Sequence, residues 1–216
     1  MSLKKIELID IKKTYFLHSY KKGKVSFVNA LDTVSMTFFP KNIYSLVGEN
    51  GAGKSTTIKM ILGIIPADSG EVTVFGRKSF DNRRRNAKDI GVLFGQKSHL
   101  WWDLPLIDSF NFLQKIYSKT SKQDMEWLKW LMSELEVDDY VNQPVRELSL
   151  GQRMRGEFIC ALIHSPKLVI LDEPTIGIDV QTKKKMMEMI LKINEQKNTT
   201  FMIANCAEHN PNGLLP

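Results

Sequence analysis

The sequence contains only two cysteines, Cys160 and Cys206, among its 216 residues. Two cysteines cannot build a disulfide framework and their spacing suits no metal site, so they favour a reducing compartment. No run approaches about 18 consecutive apolar residues, which predicts that the chain does not cross a bilayer by itself. Charged residues interrupt the N-terminal stretch every few positions, which excludes a secretory signal peptide. Internal repeats and low-complexity segments are also lacking, which excludes solenoid and collagen-like classes.

The composition is that of an ordinary globular protein. Hydrophobic residues make up 43% of the chain and charged residues 25%, close to the averages of globular domains. A chain of this length buries roughly 70% of its unfolded surface, so it needs no disulfide or structural metal to fold. The formal net charge of +6 permits an acidic partner without naming one.

Two basic triplets, at 83–85 and 183–185, resemble the charge runs of nucleic-acid-binding proteins. Neither is interleaved with aromatic residues that could stack on bases. Both therefore favour solvated faces, and we expect no nucleic-acid partner. Proximity to an anionic membrane leaflet stays open as a third interpretation.

Strand and helix patterns alternate along the chain around one helical stretch. Apolar residues at helical spacing predict helices at 54–65, 125–135, 150–164 and 181–196. Alternating or short apolar runs predict strands at 6–11, 42–48, 70–76, 89–95, 167–172 and 199–204, and two further extended stretches within 28–39. This order indicates an α/β core that carries a helical subdomain.

A glycine-rich turn separates the apolar strand at 42–48 from the helix at 54–65. Its residues fit the pattern G-x-x-x-x-G-K-[ST], in which glycines let backbone N–H groups surround anionic oxygens. We expect Lys54 to bridge the β- and γ-phosphates and Ser55 to ligate Mg²⁺. The predicted nucleoside triphosphate site comprises Gly48, Glu49, Asn50, Gly51, Ala52, Gly53, Lys54, Ser55 and Thr56.

Two neighbouring carboxylates, Asp172 and Glu173, end the apolar strand at 167–172. Ligands of open α/β sheets lie at the carboxyl ends of strands. We expect Asp172 to hold magnesium through its water shell, and Glu173 to orient and polarise an attacking water. An Asp-Glu-Pro sequence is also an ordinary turn, but the phosphate loop in the same chain favours the catalytic interpretation.

These motifs, with four others in matching order, make the chain resemble the ATP-binding cassette (ABC) ATPases over nearly its whole length. Gln96 matches the family's Q-loop glutamine, and Tyr15 matches the aromatic residue that stacks on adenine. The stretch LSLGQ at 148–152 resembles the signature LSGGQ, with Leu150 in place of the first glycine. IGID at 176–179 matches the D-loop.

The resemblance implies a P-loop NTPase of ABC type, with a mixed sheet core, an antiparallel N-terminal β part and an inserted helical subdomain. It divides this single domain into a RecA-like core with its β subdomain (about 1–96 and 166–205) and a helical signature subdomain (about 97–165). An atypical tail follows at 206–216.

The resemblance also implies roles for the site residues, with ATP and Mg²⁺ as cofactors. Lys54, Gln96 and Glu173 are the expected catalytic residues, and Ser55, Gln96 and Asp172 the expected metal ligands. In the family, two such domains close head to tail on two ATP molecules, and identical or different chains can pair. Tyr15 would contact the ATP bound by its own chain. The signature residues Ser149, Gly151 and Gln152 would contact the ATP of the second domain.

The family's ATPases drive a transmembrane permease, which implies a peripheral position on the cytoplasmic face of the membrane. Trp101, Trp102 and Leu104 put bulky apolar side chains in the loop where the family meets its permease. The alternative is that the tryptophans fold back onto the helical subdomain. The segments 94–110 and 148–155 further resemble a drug- or viologen-exporter branch, so we expect an exporter subunit.

The C-terminal stretch departs from the family. Cys206 aligns with a histidine that contacts the γ-phosphate in the family, and the closing helix and strands do not follow, so the chain resembles a truncated product. Cysteine is a weak hydrogen-bond donor, which predicts ATP binding with slowed hydrolysis. The alternatives are a hydrolysis-impaired nucleotide-binding remnant and, less favoured, a soluble ABC ATPase outside transport.

Overall fold

A computed structural model describes residues 5–19, 24–94 and 98–206. Its strands are β1 (Ile6–Ser19), β2 (Lys24–Phe38), β3 (Ile43–Gly48), β4 (Ser69–Val74), β5 (Arg77–Lys78), β6 (Ile90–Phe94), β7 (Leu168–Asp172) and β8 (Thr200–Cys206). Its helices are α1 (Lys54–Ile61), α2 (Arg83–Asn86), α3 (Leu106–Ile116), α4 (Lys122–Glu134), α5 (Leu150–Leu162) and α6 (Val180–Lys197). A 3₁₀ turn at Val145–Glu147 precedes α5.

The strands form two four-stranded sheets. The first is antiparallel in the order β2-β1-β4-β5, and the second is parallel in the order β3-β8-β7-β6. The predicted fold class is confirmed, and the two kinds of pairing lie in separate sheets. The prediction of two extended stretches within 28–39 was wrong, because β2 is one strand. The irregular spacing of its apolar residues corresponds to shifts in its pairing register with β1, which lie between Leu8 and Thr14.

The parallel sheet is the middle layer of the molecule. One of its two central strands, β7, is apolar without alternation, because both of its faces are covered. One face packs with α3 to α6 through side chains such as Leu171 and Phe201. The other face packs with α1 and the antiparallel sheet through Ile170 and Met202. The carboxyl ends of β3, β7 and β8 consequently meet at one edge of a rigid layer.

The helices bury the apolar faces that their sequences predict. Helix α6 buries Met186, Met189, Ile190 and Ile193, and α5 buries Met154, Phe158, Ile159 and Leu162. Helices α3 to α5 lie in the chain between β6 and β7, where the helical subdomain is predicted. The exact division of the chain into subdomains stays a prediction. No helix in the described part of the chain is both long and apolar enough to span a bilayer.

Candidate nucleotide site

The predicted phosphate loop is a tight turn between β3 and α1. Two of its glycines adopt left-handed backbone angles, with φ of 86° at Gly51 and 85° at Gly53, a region that favours glycine. At Gly53 there is also no room for a side chain. An added Cβ would lie 2.6 Å from the carbonyl oxygen of Ala30 and 2.7 Å from Cδ2 of Leu31. Strand β2 therefore fixes the position at which the loop enters α1.

The first turn of α1 offers unpaired backbone N–H groups to an anion. Its N-cap is Gly53, which has no side chain that could cap the helix. The ammonium of Lys54 turns back over the loop and donates hydrogen bonds to the carbonyl oxygens of Gly48 (2.6 Å) and Glu49 (2.9 Å). A helix start and a cation thus face the same small space, which suits a phosphate group. The remaining predicted residues, Asn50, Ala52, Ser55 and Thr56, lie in this turn and in the first turn of α1.

The structure brings the acidic pair to the phosphate loop. The Oγ of Ser55 lies 3.4 Å from Oδ2 of Asp172, which ends β7. Burial raises the pKa of Asp172, and the neighbouring Glu173 carboxylate raises it further. A cation would favour the charged form of Asp172. Hydroxyl and carboxylate oxygens are ligands that Mg²⁺ prefers, so these residues fit the predicted metal.

Glu173 has an unusual backbone conformation for a residue with a side chain. Its φ is 54°, a left-handed angle that costs roughly 1 kcal/mol outside glycine. Its N–H donates a 2.9 Å hydrogen bond to the carbonyl oxygen of Ala204 on β8. The sheet thus holds this carboxylate beside Asp172 at the expense of local strain.

Two further predicted site residues have different outcomes. Tyr15 lies on β1 opposite Val28 of β2. Val28 comes two residues before Ala30 on the same strand, and the carbonyl oxygen of Ala30 lies against Gly53. That separation is about 7 Å along a strand, so the backbone of Tyr15 lies near the phosphate loop. Gln96 lies outside the described residues, and its roles in catalysis and metal binding stay predictions.

Strand β8 ends beside the phosphate loop. In the parallel pairing of β3 with β8, Cys206 is the register partner of Gly48, the first residue of the loop. The backbone of Cys206 therefore lies beside the start of the phosphate loop, and its alignment with the family's histidine stays a prediction.

The signature residues form the start of α5. Ser149 accepts a 3.2 Å hydrogen bond from the N–H of Gln152, and the Gln152 side chain accepts one of 2.8 Å from the N–H of Ser149. This capping box pairs the N–H groups of Ser149 and Gln152 with side chains, and Gly151 between them is buried. Among the described residues, no hydrogen bond joins Ser149, Gly151 or Gln152 to residues 48–56 of the same chain.

The signature lies against the D-loop of its own chain. Asp179 caps α6 by accepting hydrogen bonds from the N–H (2.8 Å) and hydroxyl (2.7 Å) of Thr182. A Cβ at Gly151 would lie 2.9 Å from that carboxylate and 2.8 Å from the Thr182 hydroxyl. The sequence motif therefore needs glycine here because the start of α5 abuts the start of α6.

The aromatic loop after the Q-loop is partly exposed. Trp101, Trp102 and Leu104 are 40%, 54% and 41% exposed. Each tryptophan also has an intramolecular partner, since Trp101 packs on Phe112 (4.4 Å between ring centroids) and the Arg153 guanidinium lies 5.1 Å from the Trp102 ring. These contacts agree with the interpretation that the tryptophans fold back onto the helical subdomain, and the permease contact stays a prediction.

The buried carboxylate of Glu157 was not predicted from the sequence. Glu157 is 6% exposed on α5 and accepts hydrogen bonds from the Ser98 hydroxyl and from the N–H of His99 (3.0 Å). Its Oε2 also lies 3.1 Å from Nδ1 of His99. These hydrogen bonds join Ser98 and His99, which follow Gln96, to helix α5. The signal of Glu157 in the sequence is a lone glutamate within the apolar stretch 156–163.

Comparisons with known proteins agree with this geometry. A family model described as "ABC transporter" matches residues 31–176. The ABC transporter ATP-binding protein NatA of Bacillus subtilis is 28% identical over 187 residues, which cover 87% of this chain and 76% of NatA. The zinc uptake system ATP-binding protein ZurA of Listeria innocua is 29% identical over 182 residues, covering 81% and 70%. The linearmycin resistance ATP-binding protein LnrL of Bacillus subtilis is 30% identical over 199 residues, covering 92% and 60%.

A solved structure shows the same fold. The cassette MJ0796, in a dimeric post-hydrolysis state with ADP and Pi, superposes with a TM-score of 0.79 at 23% identity. The match covers 93% of this chain and 87% of that one. The family model covers well over half of the sequence, and the phosphate loop, acidic pair and signature lie within it. The chain therefore belongs to the ABC transporter family and contains an ATP-binding ATPase domain of that family.

Proposed function

We propose that this chain is the ATP-hydrolysing subunit that powers an ABC membrane transporter. The observation that carries the proposal is the approach of Ser55 to Asp172, 3.4 Å apart, beside the Lys54 ammonium and the uncapped start of α1. Phosphate, metal and water would meet there, at the carboxyl edge of the parallel sheet.

Each site residue then has a defined task. The amides of residues 49–56 and Lys54 bind the phosphates and spread their charge, and Tyr15 stacks on the adenine. Ser55, Gln96 and Asp172 would hold Mg²⁺, which supplies positive charge to the phosphate oxygens when bound. Glu173, with Gln96, orients a water for attack on the γ-phosphorus and accepts its proton.

We infer that the active form is a head-to-tail pair of cassettes. The start of α5, which has Gly151 in its first turn and no charged cap, forms a second phosphate-binding surface. Because this surface makes no hydrogen bond to the phosphate loop of its own chain within the described residues, it is available to ATP held by another cassette. This geometry is compatible with a pair of identical chains and with a pair of different chains.

The permease would bind beside the aromatic loop. Trp101, Trp102 and Leu104 supply exposed apolar surface. A neighbouring cavity of about 280 Å³ has a mostly apolar lining, which includes Leu62, Ile64, Leu113 and Tyr117. An apolar element of a membrane subunit could fill it, and this chain would then lie on the cytoplasmic face of the membrane.

Export is the direction we favour. It is supported by the exporter-like segments at 94–110 and 148–155 and by the likeness to LnrL, whose name records resistance. ZurA, whose name records uptake, is nearly as similar. ATP-dependent accumulation of a substrate in inverted membrane vesicles, with the cognate permease present, would support export; ATP-dependent loss from preloaded vesicles would contradict it.

ATP binding is tested by calorimetry with two lysine variants. Lys54→Ala should weaken Mg·ATP binding at least tenfold, because the cation facing the phosphates is lost. Lys59→Ala, on the exposed side of the same helix, should leave the affinity nearly unchanged. Equal affinities for wild type and Lys54→Ala would reject the proposed phosphate site.

A hydrolysis-impaired cassette is the second candidate, favoured by Cys206 beside Gly48. Single-turnover hydrolysis separates the two candidates. The leading proposal expects measurable turnover that Glu173→Gln reduces by about 10²-fold or more while Mg·ATP affinity is retained. Turnover equal in wild type and Glu173→Gln would favour the second candidate.

A further inference from the structure

One short segment of the chain is strongly basic. Residues 77–88 contain six basic residues and one acidic residue, whereas the whole chain has a formal net charge of +6. The segment includes β5 and α2, and it precedes β6. This segment therefore carries a local excess of positive charge.

The arginines of α2 lie at the surface. Arg83, Arg84 and Arg85 are exposed, whereas Asn86 at the end of the same short helix is fully buried and anchors it. In the described part of the chain, no carboxylate oxygen lies within 4.0 Å of these three guanidinium groups. By contrast, Arg77 pairs with Asp89 at 2.9 Å and Lys78 with Glu71 at 3.7 Å. We call Arg83, Arg84 and Arg85 the arginine patch.

The surface around the arginine patch is concave and includes an aromatic side chain. A cavity of about 410 Å³ is lined by residues 81–85. Phe80 is 41% exposed, and the Arg83 guanidinium lies 5.4 Å from its ring. Guanidinium groups with an adjacent aromatic ring suit the boundary between lipid headgroups and acyl chains.

The position of the arginine patch indicates which kind of anionic partner it binds. Ala87, one residue after α2, lines the 280 Å³ cavity at which we place the permease, so the patch borders a surface that would face the membrane. Single-stranded nucleic acid binds to several aromatic rings on which successive bases stack, whereas Phe80 is the one aromatic residue of 77–88 and Arg83 covers part of its ring. We propose that the arginine patch binds the phosphate groups of anionic lipids at the bilayer surface beside the permease.

Vesicle binding tests the proposal with the whole chain and without a permease or ATP. The wild-type protein should bind vesicles of phosphatidylcholine with about one third phosphatidylglycerol, and should bind pure phosphatidylcholine far more weakly. The triple variant Arg83→Gln/Arg84→Gln/Arg85→Gln should bind the anionic vesicles on the order of 100-fold more weakly, because each basic residue near such a surface contributes roughly fivefold. Binding of the wild type should disappear near 1 M salt, where the screening length is about 3 Å.

A matched control removes the same charge elsewhere. Lys183→Gln/Lys184→Gln/Lys185→Gln lies on α6, where Lys184 and Lys185 face Glu188 (3.9 Å) and Glu136 (3.0 Å). This variant should retain most of the vesicle binding. Equal losses in the two triple variants would show that net charge alone is responsible and would overturn the proposal, as would undiminished binding by the arginine variant.

Oligonucleotide binding and the properties of the arginine variant also test the lipid proposal. Tighter binding to a single-stranded oligonucleotide than to the vesicles, at equal phosphate concentration, would replace the lipid with a nucleic acid and overturn the proposal. Unaltered Mg·ATP affinity and urea unfolding of the arginine variant should accompany its loss of lipid binding. The choice of a bilayer rests on the proposed permease surface, but the vesicle result is independent of ATP binding. Failure of the lipid proposal is therefore distinguishable from failure of the ATPase proposal.

Discussion

Glu157 on the signature helix holds the imidazole of His99, with Oε2 and Nδ1 3.1 Å apart. Hydrogen bonding to this carboxylate raises the pKa of His99 above its usual value of 6.5, against an opposing effect of burial. Because the folded-state pKa is raised, the stability gained from the charged pair is complete below about pH 6.5 and is lost as pH rises through the folded pKa.

Urea unfolding measures this dependence directly. The unfolding free energy of the wild type should exceed that of His99→Gln by more at pH 6 than at pH 8, since Gln cannot titrate. Glu157→Gln should remove most of the difference between the two pH values. A wild-type advantage that is the same at both pH values would contradict the assignment of the pair.

His164 should make the protein sensitive to acid. Burial lowers the pKa of His164 to about 4, and its Nε2–H donates a 3.1 Å hydrogen bond to the carbonyl oxygen of Ile90. The unfolded chain therefore binds a proton near pH 6.5 that the folded chain does not bind until about pH 4. Stability should fall across this window by up to about 3 kcal/mol.

His164→Phe isolates this contribution. The phenyl ring can keep the stacking on Tyr117, whose centroid lies 4.0 Å away, but it cannot titrate. The variant loses the hydrogen bond and should be less stable than the wild type at pH 7. Its unfolding free energy should decline less steeply between pH 6.5 and 4. Parallel declines would place the acid sensitivity at other groups.

Two glycines of the phosphate loop provide a matched pair. Both have left-handed backbone angles, but a Cβ at Gly51 meets nothing within 4 Å, whereas one at Gly53 meets β2. Gly51→Ala should therefore cost about 1 kcal/mol of unfolding free energy. Gly53→Ala should cost more, because the loop must move away from Ala30, and should abolish detectable Mg·ATP binding in calorimetry. Similar affinities in the two variants would mean that the entry of the loop into α1 is not critical.

Adenine stacking is tested on two adjacent residues of β1. Tyr15→Ala should weaken ATP binding by roughly tenfold, since stacking of a base on an aromatic ring contributes about 1–3 kcal/mol. Phe16→Ala is the control, because its ring packs on Phe27 (5.6 Å between centroids) and is 63% exposed. We expect the control to bind ATP as the wild type does. A larger loss at Phe16 than at Tyr15 would assign the adenine to the opposite face of the strand.

Cys206→His should restore a polar group at the end of β8. Because the backbone of Cys206 pairs with Gly48, we expect single-turnover hydrolysis to rise by on the order of 10²-fold, the usual contribution of one positioned group. Cys206→Ser, which restores polarity without the imidazole, should give much less. An unchanged rate in Cys206→His would show that this position has no catalytic role.

Local rules predicted the parts of the structure in which a residue's neighbours in sequence determine its environment. The spacing of Met186 and Ile190 predicts the buried face of α6, and the phosphate loop follows from its glycines and Lys54. Glu157 was not predicted, because a buried carboxylate is tolerated only where distant donors such as Ser98 and His99 meet it. The continuity of β2 escaped prediction for a related reason, since register shifts are set by the partner strand.

The contact between Gly151 and the Asp179 cap has an electrostatic consequence. Two helix starts, each with a partial positive charge, lie side by side, but only α6 has a carboxylate at its start. The Ser149–Gln152 box that closes α5 is uncharged, so the field of α5 is left uncancelled on its outer side. An incoming polyphosphate would consequently be drawn to one of two neighbouring helix ends and repelled from the other, which fixes the direction of its approach.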